Sequence, residues 1–205
     1  KHFETIAYDT PFDVSENLSL TFRDAGHILG SAILEVRVRE GGKETKLVFS
    51  GDLGQPNQPI IKDPTIIDGA DFLLVESTYG DRLHQVYDKE TALIELINDT
   101  MDRGGNLIIP SFAVGRTQTL LYYFYNLWKS GKLDEDIPII LDSPLAIKAT
   151  RIFLQNSQDF DDEAIAIFTR EHSLIRFPQL QISETPAESR ALNSGEGSAI
   201  ILSAS

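Results

Sequence analysis

Leu107-Ile108-Ile109-Pro110-Ser111-Phe112-Ala113-Val114-Gly115-Arg116-Thr117 opens on a short apolar run, crosses small residues and ends where helical spacing begins. That order reads as a buried strand, a short loop and a helix start. The helix runs from about Gly115 to Lys129, with Leu120, Leu121, Phe124, Leu127 and Trp128 on its apolar side. Ile137 to Leu141 is the next strand, and Pro144 marks the next helix start. Alternation continues through Pro186–Leu192 to Ala199-Ile200-Ile201-Leu202. Strands alternating with helices imply a mainly parallel sheet covered by helices.

Working backward, Asp88 can cap a helix whose Leu93, Ile94, Ile97 and Met101 recur at helical spacing, and Gly104-Gly105 ends it. Before residue 86 the pattern is different. Leu18–Phe22 and Ala32–Val38 alternate, Gly41-Gly42 makes a turn, and Thr45–Phe49 returns as a hairpin partner. Phe72-Leu73-Leu74-Val75 reads as a short buried strand. The change from β-rich to α/β sets a boundary there, giving segments 1–85 and 86–205.

The 205 residues carry 41% hydrophobic and 24% charged side chains, an ordinary globular composition. No run of about eighteen apolar residues offers a membrane span. Lys1-His2-Phe3-Glu4 lacks both an initiator Met and the apolar core of a signal peptide. Cysteine is absent, which excludes disulfides and thiolate metal sites; a cytoplasmic location is the expectation. Net charge is −13, with 8 basic and 14 acidic side chains in residues 1–85 and 10 and 17 in residues 86–205. Neither segment is a basic nucleic-acid platform, so charge alone points away from RNA and DNA.

Polar residues recur directly after the apolar strands. His27 sits between Gly26 and Gly30, and Asp52 follows Phe49-Ser50-Gly51. Such loops approach a ligand closely, and an imidazole and a carboxylate are metal donors. A loop His without a role and an Asp in a plain turn are the competing readings. The two loops are expected on neighbouring strands of one hairpin. Glu76 again follows an apolar run, with Ser77, Thr78 and Tyr79 as donors to it or to a substrate, or as helix caps. Ser111, Arg116 and Thr117 surround a helix start, where free N–H groups and a guanidinium attract phosphate. Asp142-Ser143-Pro144 and Ser203-Ala204-Ser205 repeat the pattern, although helix capping explains any one of these alone. His2, His84 and His172 show no ligand spacing and read as surface or loop residues.

DAGHILGSAILEV (24–36), FSGDLG (49–54), ESTYGDR (76–82), PSFAVGRTQTLL (110–121), DSPLA (142–146) and IILSAS (200–205) occur in an order that resembles the β-CASP branch of the metallo-β-lactamase superfamily. The resemblance is to RNA-processing members of the 73-kDa cleavage and polyadenylation endonuclease type and their prokaryotic relatives. It implies an α/β chain: part of a metallo-β-lactamase αββα sandwich in 1–85, then part of an α/β β-CASP domain in 86–205. His27 matches a ligand of one zinc and Asp52 the carboxylate that bridges two. Glu76 matches an acidic residue thought to assist proton transfer to the leaving group. Ser111, Arg116, Thr117, Ser143 and Ser203 become substrate contacts.

The resemblance therefore implies a nuclease hydrolysing single-stranded RNA with two zinc ions, no membrane partner, and compatibility with a homodimer. The family signature HxHxDH is absent from these residues. That marks an internal piece, expected to hold metal weakly and to be inactive alone. A non-catalytic β-CASP scaffold subunit would have lost ligands such as His27 and Asp52. A small-molecule metallo-hydrolase on the lactamase scaffold would lack the ESTYG and FAVGRTQ segments.

Overall fold

A computed structural model describes residues 3–194 and 197–204, so His2 and Ser205 lie outside the described residues. The chain divides into two compact units, Lys1–Leu83 with Asp159–Asp161, and His84–Gln158 with Asp162–Ser205. No helix among the described residues is long and apolar enough to cross a membrane.

The first unit is one sheet of β1 (Phe12–Ser15), β2 (Leu18–Asp24), β3 (Ala32–Glu40), β4 (Lys43–Phe49) and β5 (Phe72–Leu74), in that order. β1 to β4 are antiparallel, and β5 joins β4 in parallel. Gly41 and Gly42 both take positive φ, 58° and 80°, between β3 and β4. A two-residue hairpin turn of matching twist demands that conformation, and glycine adopts it without a Cβ clash.

Alternation assigns the side chains to two faces. Leu20, Val36, Leu47 and Phe72 lie in one row, and Phe22, Leu34, Phe49 and Leu74 in the next. Those two rows are apolar and only half-buried in β2 to β4. The other face carries the core of Ala25, Ile33 and Val48, with Leu53 and Ile67 against it. It also carries a buried carboxylate. Glu35 accepts from Arg23 Nε at 2.6 Å and pairs with Lys46 Nζ at 2.7 Å, while Arg23 also reaches Asp9 at 2.7 Å. Phe160 is fully buried and its neighbours extend this unit: residue 160 bridges Ile61, and Asp161 N donates to Ile60 O at 2.8 Å.

Phe72–Val75 departs from the buried strand expected of it. Phe72, Leu73, Leu74 and Val75 are 60%, 62%, 52% and 58% exposed. β5 ends the sheet order, and no α-helix among the described residues of this unit covers either of its faces. Continuous apolar character reports what a strand can bury, and its position in the sheet decides whether it does.

The second unit opens with α1 (Lys89–Asp102), whose N-cap Asp88 accepts from Glu90 N. β6 (Leu107–Ser111), α2 (Arg116–Lys129), β7 (Ile139–Asp142), α3 (Pro144–Gln155), α4 (Asp162–Glu171), β8 (Leu180–Ser183), α5 (Pro186–Ala191) and β9 (Ile200–Ala204) follow. The strands stand in the order β6-β9-β7-β8, and every pairing is parallel. α2 buries a wider stripe than the spacing of leucines indicated. Leu121, Phe124 and Leu127 are buried, Tyr122 and Tyr125 join them, and Leu120 and Trp128 are only half-buried. Each large apolar side chain so buried stabilises the unit by roughly 1.5–3 kcal/mol. α3 begins where Pro144 predicts, with Ser143 Oγ accepting from Ala146 N.

Candidate functional site

In the first unit β2 and β4 both run antiparallel to β3, and β5 runs parallel to β4. The carboxyl ends of β2, β4 and β5 therefore lie along one edge of the sheet. His27, Asp52 and Glu76 follow those three ends. The expectation of neighbouring strands needs correction: β2 and β4 flank β3, and the loops after them meet across its end.

Hydrogen bonds donated by backbone N–H groups stitch the three loops together. Gly54 N donates to Ala25 O at 2.9 Å, joining the Asp52 loop to the His27 loop. A Cβ on Gly54 would stand 1.6 Å from Gly26 O and 2.8 Å from His27 N, so only glycine allows that approach. Leu53 N donates to Glu76 Oε1 at 3.1 Å, and Glu76 N donates to Ser50 Oγ at 3.0 Å. The His27 loop is closed from within, since His27 N and Ile28 N both donate to Ser31 Oγ, at 3.1 and 3.2 Å. Tyr8 adds an outer tie, donating to Ser31 O at 2.7 Å. Burial, with Asp24 and Asp159 nearby, pushes the Tyr8 hydroxyl up to about 12.

Glu76 is held ionised. Hydrogen bonds from Thr78 and from Leu53 N–H, together with the nearby His27 imidazole, lower its carboxyl below the ordinary value. Both oxygens are engaged, Oε2 by Thr78 N at 3.1 Å. A carboxylate in this state is suited to accept a proton or to hold a protonated partner, and is a weak proton donor near neutral pH. Thr78 is thus a donor to Glu76 and caps no helix.

His27 and Asp52 are exposed at this edge. In kind they suit zinc, an imidazole and a carboxylate that could use either oxygen. In number they fall short: among the described residues no group of three or more His, Cys, Asp or Glu is placed to hold a metal ion. His84 and His172 are exposed and belong to the second unit.

In the second unit the four parallel strands bring their carboxyl ends to one edge, where Pro110, Ser203, Asp142 and Ser183 lie in register. Burial sorts the expected substrate contacts there. Arg116 is exposed at the start of α2, and no carboxylate occurs in that first turn. Ser203 is exposed and Ser111 half-buried. Thr117 is fully buried, and its hydroxyl donates to Phe112 O at 2.7 Å and lies 2.8 Å from Ser111 Oγ. Thr117 therefore shapes the loop, and the expectation that it reaches a phosphate is corrected. Ser143 is likewise buried and spends its oxygen on the α3 cap. Residue type alone did not separate these uses, because a cap and a phosphate contact need the same hydroxyl.

Gln118 escaped the sequence reading. It is buried, its Oε1 accepts from Gly115 N at 2.7 Å, and its Nε2 donates to Ala113 O at 3.1 Å and Thr150 Oγ1 at 2.8 Å. The readable signal was Gln three residues after Gly115, a capping-box spacing.

Residues 117–205 match the Beta-Casp domain. The chain is 36% identical over 190 residues to "Ribonuclease TTHA0252" of Thermus thermophilus, covering 92% of the chain and 42% of that protein. It is 38% identical over 158 residues to "RNase J-like protein" of Methanocaldococcus jannaschii, covering 75% of the chain and 36% of the relative. "Endoribonuclease YSH1" of Candida glabrata is 31% identical over 155 residues, covering 73% of the chain and 20% of the relative. The chain thus spans less than half the length of these curated relatives. An α/β chain whose second unit stands on a parallel sheet, with these matches, belongs to the β-CASP family. Within it, the relatives are those of the RNA-processing type.

Proposed function

We propose that the protein is a zinc-dependent ribonuclease that hydrolyses phosphodiester bonds of single-stranded RNA in processing or decay. In this reading 1–85 is the latter part of the metallo-β-lactamase domain, and 86–205 the first part of the β-CASP domain. The observation that carries it is the stitching of the His27, Asp52 and Glu76 loops at one sheet edge through Gly54 N–Ala25 O and Leu53 N–Glu76 Oε1. Three chemistry-bearing loops tied by one main-chain bond and one main-chain to carboxylate bond support the reading of a pre-organised site over that of three plain turns.

His27 and Asp52 would hold zinc together with further ligands. Zinc, when bound, supplies Lewis acidity that makes water nucleophilic near neutral pH and offsets phosphate charge. Glu76, kept ionised by its hydrogen bonds, holds a protonated partner in place for the leaving oxygen. Arg116 binds a phosphate of the strand. Two ligands are too few for a stable centre, so the 205-residue chain alone binds zinc weakly and does not cleave RNA.

Zinc titration of this chain by calorimetry, followed by incubation with labelled single-stranded RNA, tests both statements. Weak zinc uptake that disappears in His27→Ala and Asp52→Ala, without cleavage, is the expected result. Uptake unaffected by both substitutions would refute the ligand assignment, and robust cleavage by the chain alone would refute its incompleteness.

A further inference from the structure

We infer that Phe112 is a stacking platform for one base of single-stranded RNA, beside the phosphate held by Arg116. The inference deepens the ribonuclease reading above and rests on it. Phe112 is 69% exposed and Val114 49%, while Ala113 between them is 3% exposed. The loop is thus anchored inward through Ala113 and turns its two larger side chains outward.

That display is fixed from below. Phe112 O accepts from Thr117 N at 3.3 Å and from Thr117 Oγ1 at 2.7 Å. Ala113 O accepts from Gln118 Nε2, which also ties to Thr150 of α3. Gly115, at φ 83°, donates its N–H to Gln118 Oε1. Two buried side chains, Thr117 and Gln118, thereby hold the main chain from Phe112 through Gly115. An aromatic ring presented on a pinned backbone loses little freedom when a flat partner covers it.

The surroundings select the kind of flat partner. Arg116 is exposed, no ion pair engages its guanidinium among the described residues, and the first turn of α2 has no acidic side chain. Phe112 and Arg116 bound the one short loop between β6 and α2, so an apolar ring and a cation are offered by the same strand-to-helix turn. Net charge of −13 gives the chain no broad electrostatic hold on RNA. Stacking, which tolerates any base and does not depend on counterion release, supplies affinity that charge does not.

The test is fluorescence anisotropy with the protein at its natural length, in EDTA to halt cleavage. The probes are a labelled oligouridylate and matched strands carrying one abasic position moved along the chain. Phe112→Ala is expected to weaken binding of the intact strand about 5- to 100-fold. Phe112→Tyr should bind within about twofold of the unaltered protein, whereas Phe112→Leu, which keeps the apolar bulk without the ring, should bind like the alanine variant. For one abasic position, the unaltered protein and Phe112→Ala should bind equally, because the base that stacks is gone. Equal losses on intact and abasic strands, or a leucine variant that binds normally, would overturn stacking. If the unaltered protein binds RNA and Phe112→Ala changes nothing, the stacking role fails and the ribonuclease reading stands. A natural-length protein that neither binds nor cleaves RNA removes both.

Discussion

Gly54→Ala tests the join on which the site depends. The added Cβ would overlap Gly26 O at 1.6 Å and Gly26 C at 2.1 Å, both main-chain atoms with no side chain to swing aside. The two loops must separate, which removes the Gly54 N–Ala25 O bond of 2.9 Å. Loss of that bond costs about 1 kcal/mol. Backbone displacement from overpacking adds about 1–3 kcal/mol. The sum, roughly 2–4 kcal/mol, corresponds to about a 30- to 700-fold shift in the local opening equilibrium. Gly105→Ala is the control, since its Cβ would meet only Thr100 atoms at 3.8 Å, an ordinary contact. Amide hydrogen exchange across residues 25–31, 50–54 and 74–78 reads the opening directly, and urea unfolding reads the total. Gly54→Ala should accelerate exchange in all three segments together, because Leu53 N also anchors Glu76. Exchange and stability indistinguishable from the Gly105→Ala control would show that the loops are not coupled.

Phe160→Ala should destabilise the first unit by about 3–5 kcal/mol, because a fully buried ring is removed; calorimetric unfolding with exchange at Ile60 and Ile61 measures it. Glu35 is buried, which raises its carboxyl, but hydrogen bonds and charge from Lys46 and Arg23 outweigh burial and lower it from 4.5. Its contribution is therefore complete above the unfolded value and is lost as pH falls through the lower folded value. Urea midpoints below about pH 4.5 should fall less steeply in Glu35→Gln than in the unaltered chain, and near neutrality that variant should be less stable by about 3 kcal/mol. Tyr8, raised from 10.0 to about 12, contributes stability that is complete below 10.0 and is lost as pH rises toward 12. Ultraviolet titration should show late-ionising phenols, Tyr123 being raised by burial as well, with one fewer of them in Tyr8→Phe.

The second unit was legible because its signals are local. Asp88 and Ser143 cap the helices that follow them, and Gly41-Gly42 turns the hairpin of the first unit. Signals that depend on the third dimension were not. Leu73 and Val75 read as buried because composition says nothing of edge position. β1, α4 and β8 were not singled out: β1 is wholly exposed, and β8 mixes Gln181 and Ser183 with its two apolar residues. Glu35 occupies an alternating strand as a charged residue and would be assigned to solvent, yet Arg23 and Lys46 bury it. Ser143 and Thr117 carried the right residue type for phosphate, and burial gave them to a cap and a loop. The return of Asp159–Asp161 to the first unit has no sequence signature at all. His27, Asp52 and Glu76 were visible one by one as polar residues after apolar runs, and strand direction is what brought their loops to one edge.

Cleavage of labelled single-stranded RNA by the natural-length protein, with zinc and after its removal by chelation, for the unaltered sequence and Asp52→Asn, bears most directly on the zinc ribonuclease proposal. Cleavage that stops on chelation, returns with zinc, and falls steeply in Asp52→Asn is the expected result. Undiminished cleavage by Asp52→Asn, or cleavage indifferent to chelation, would contradict it.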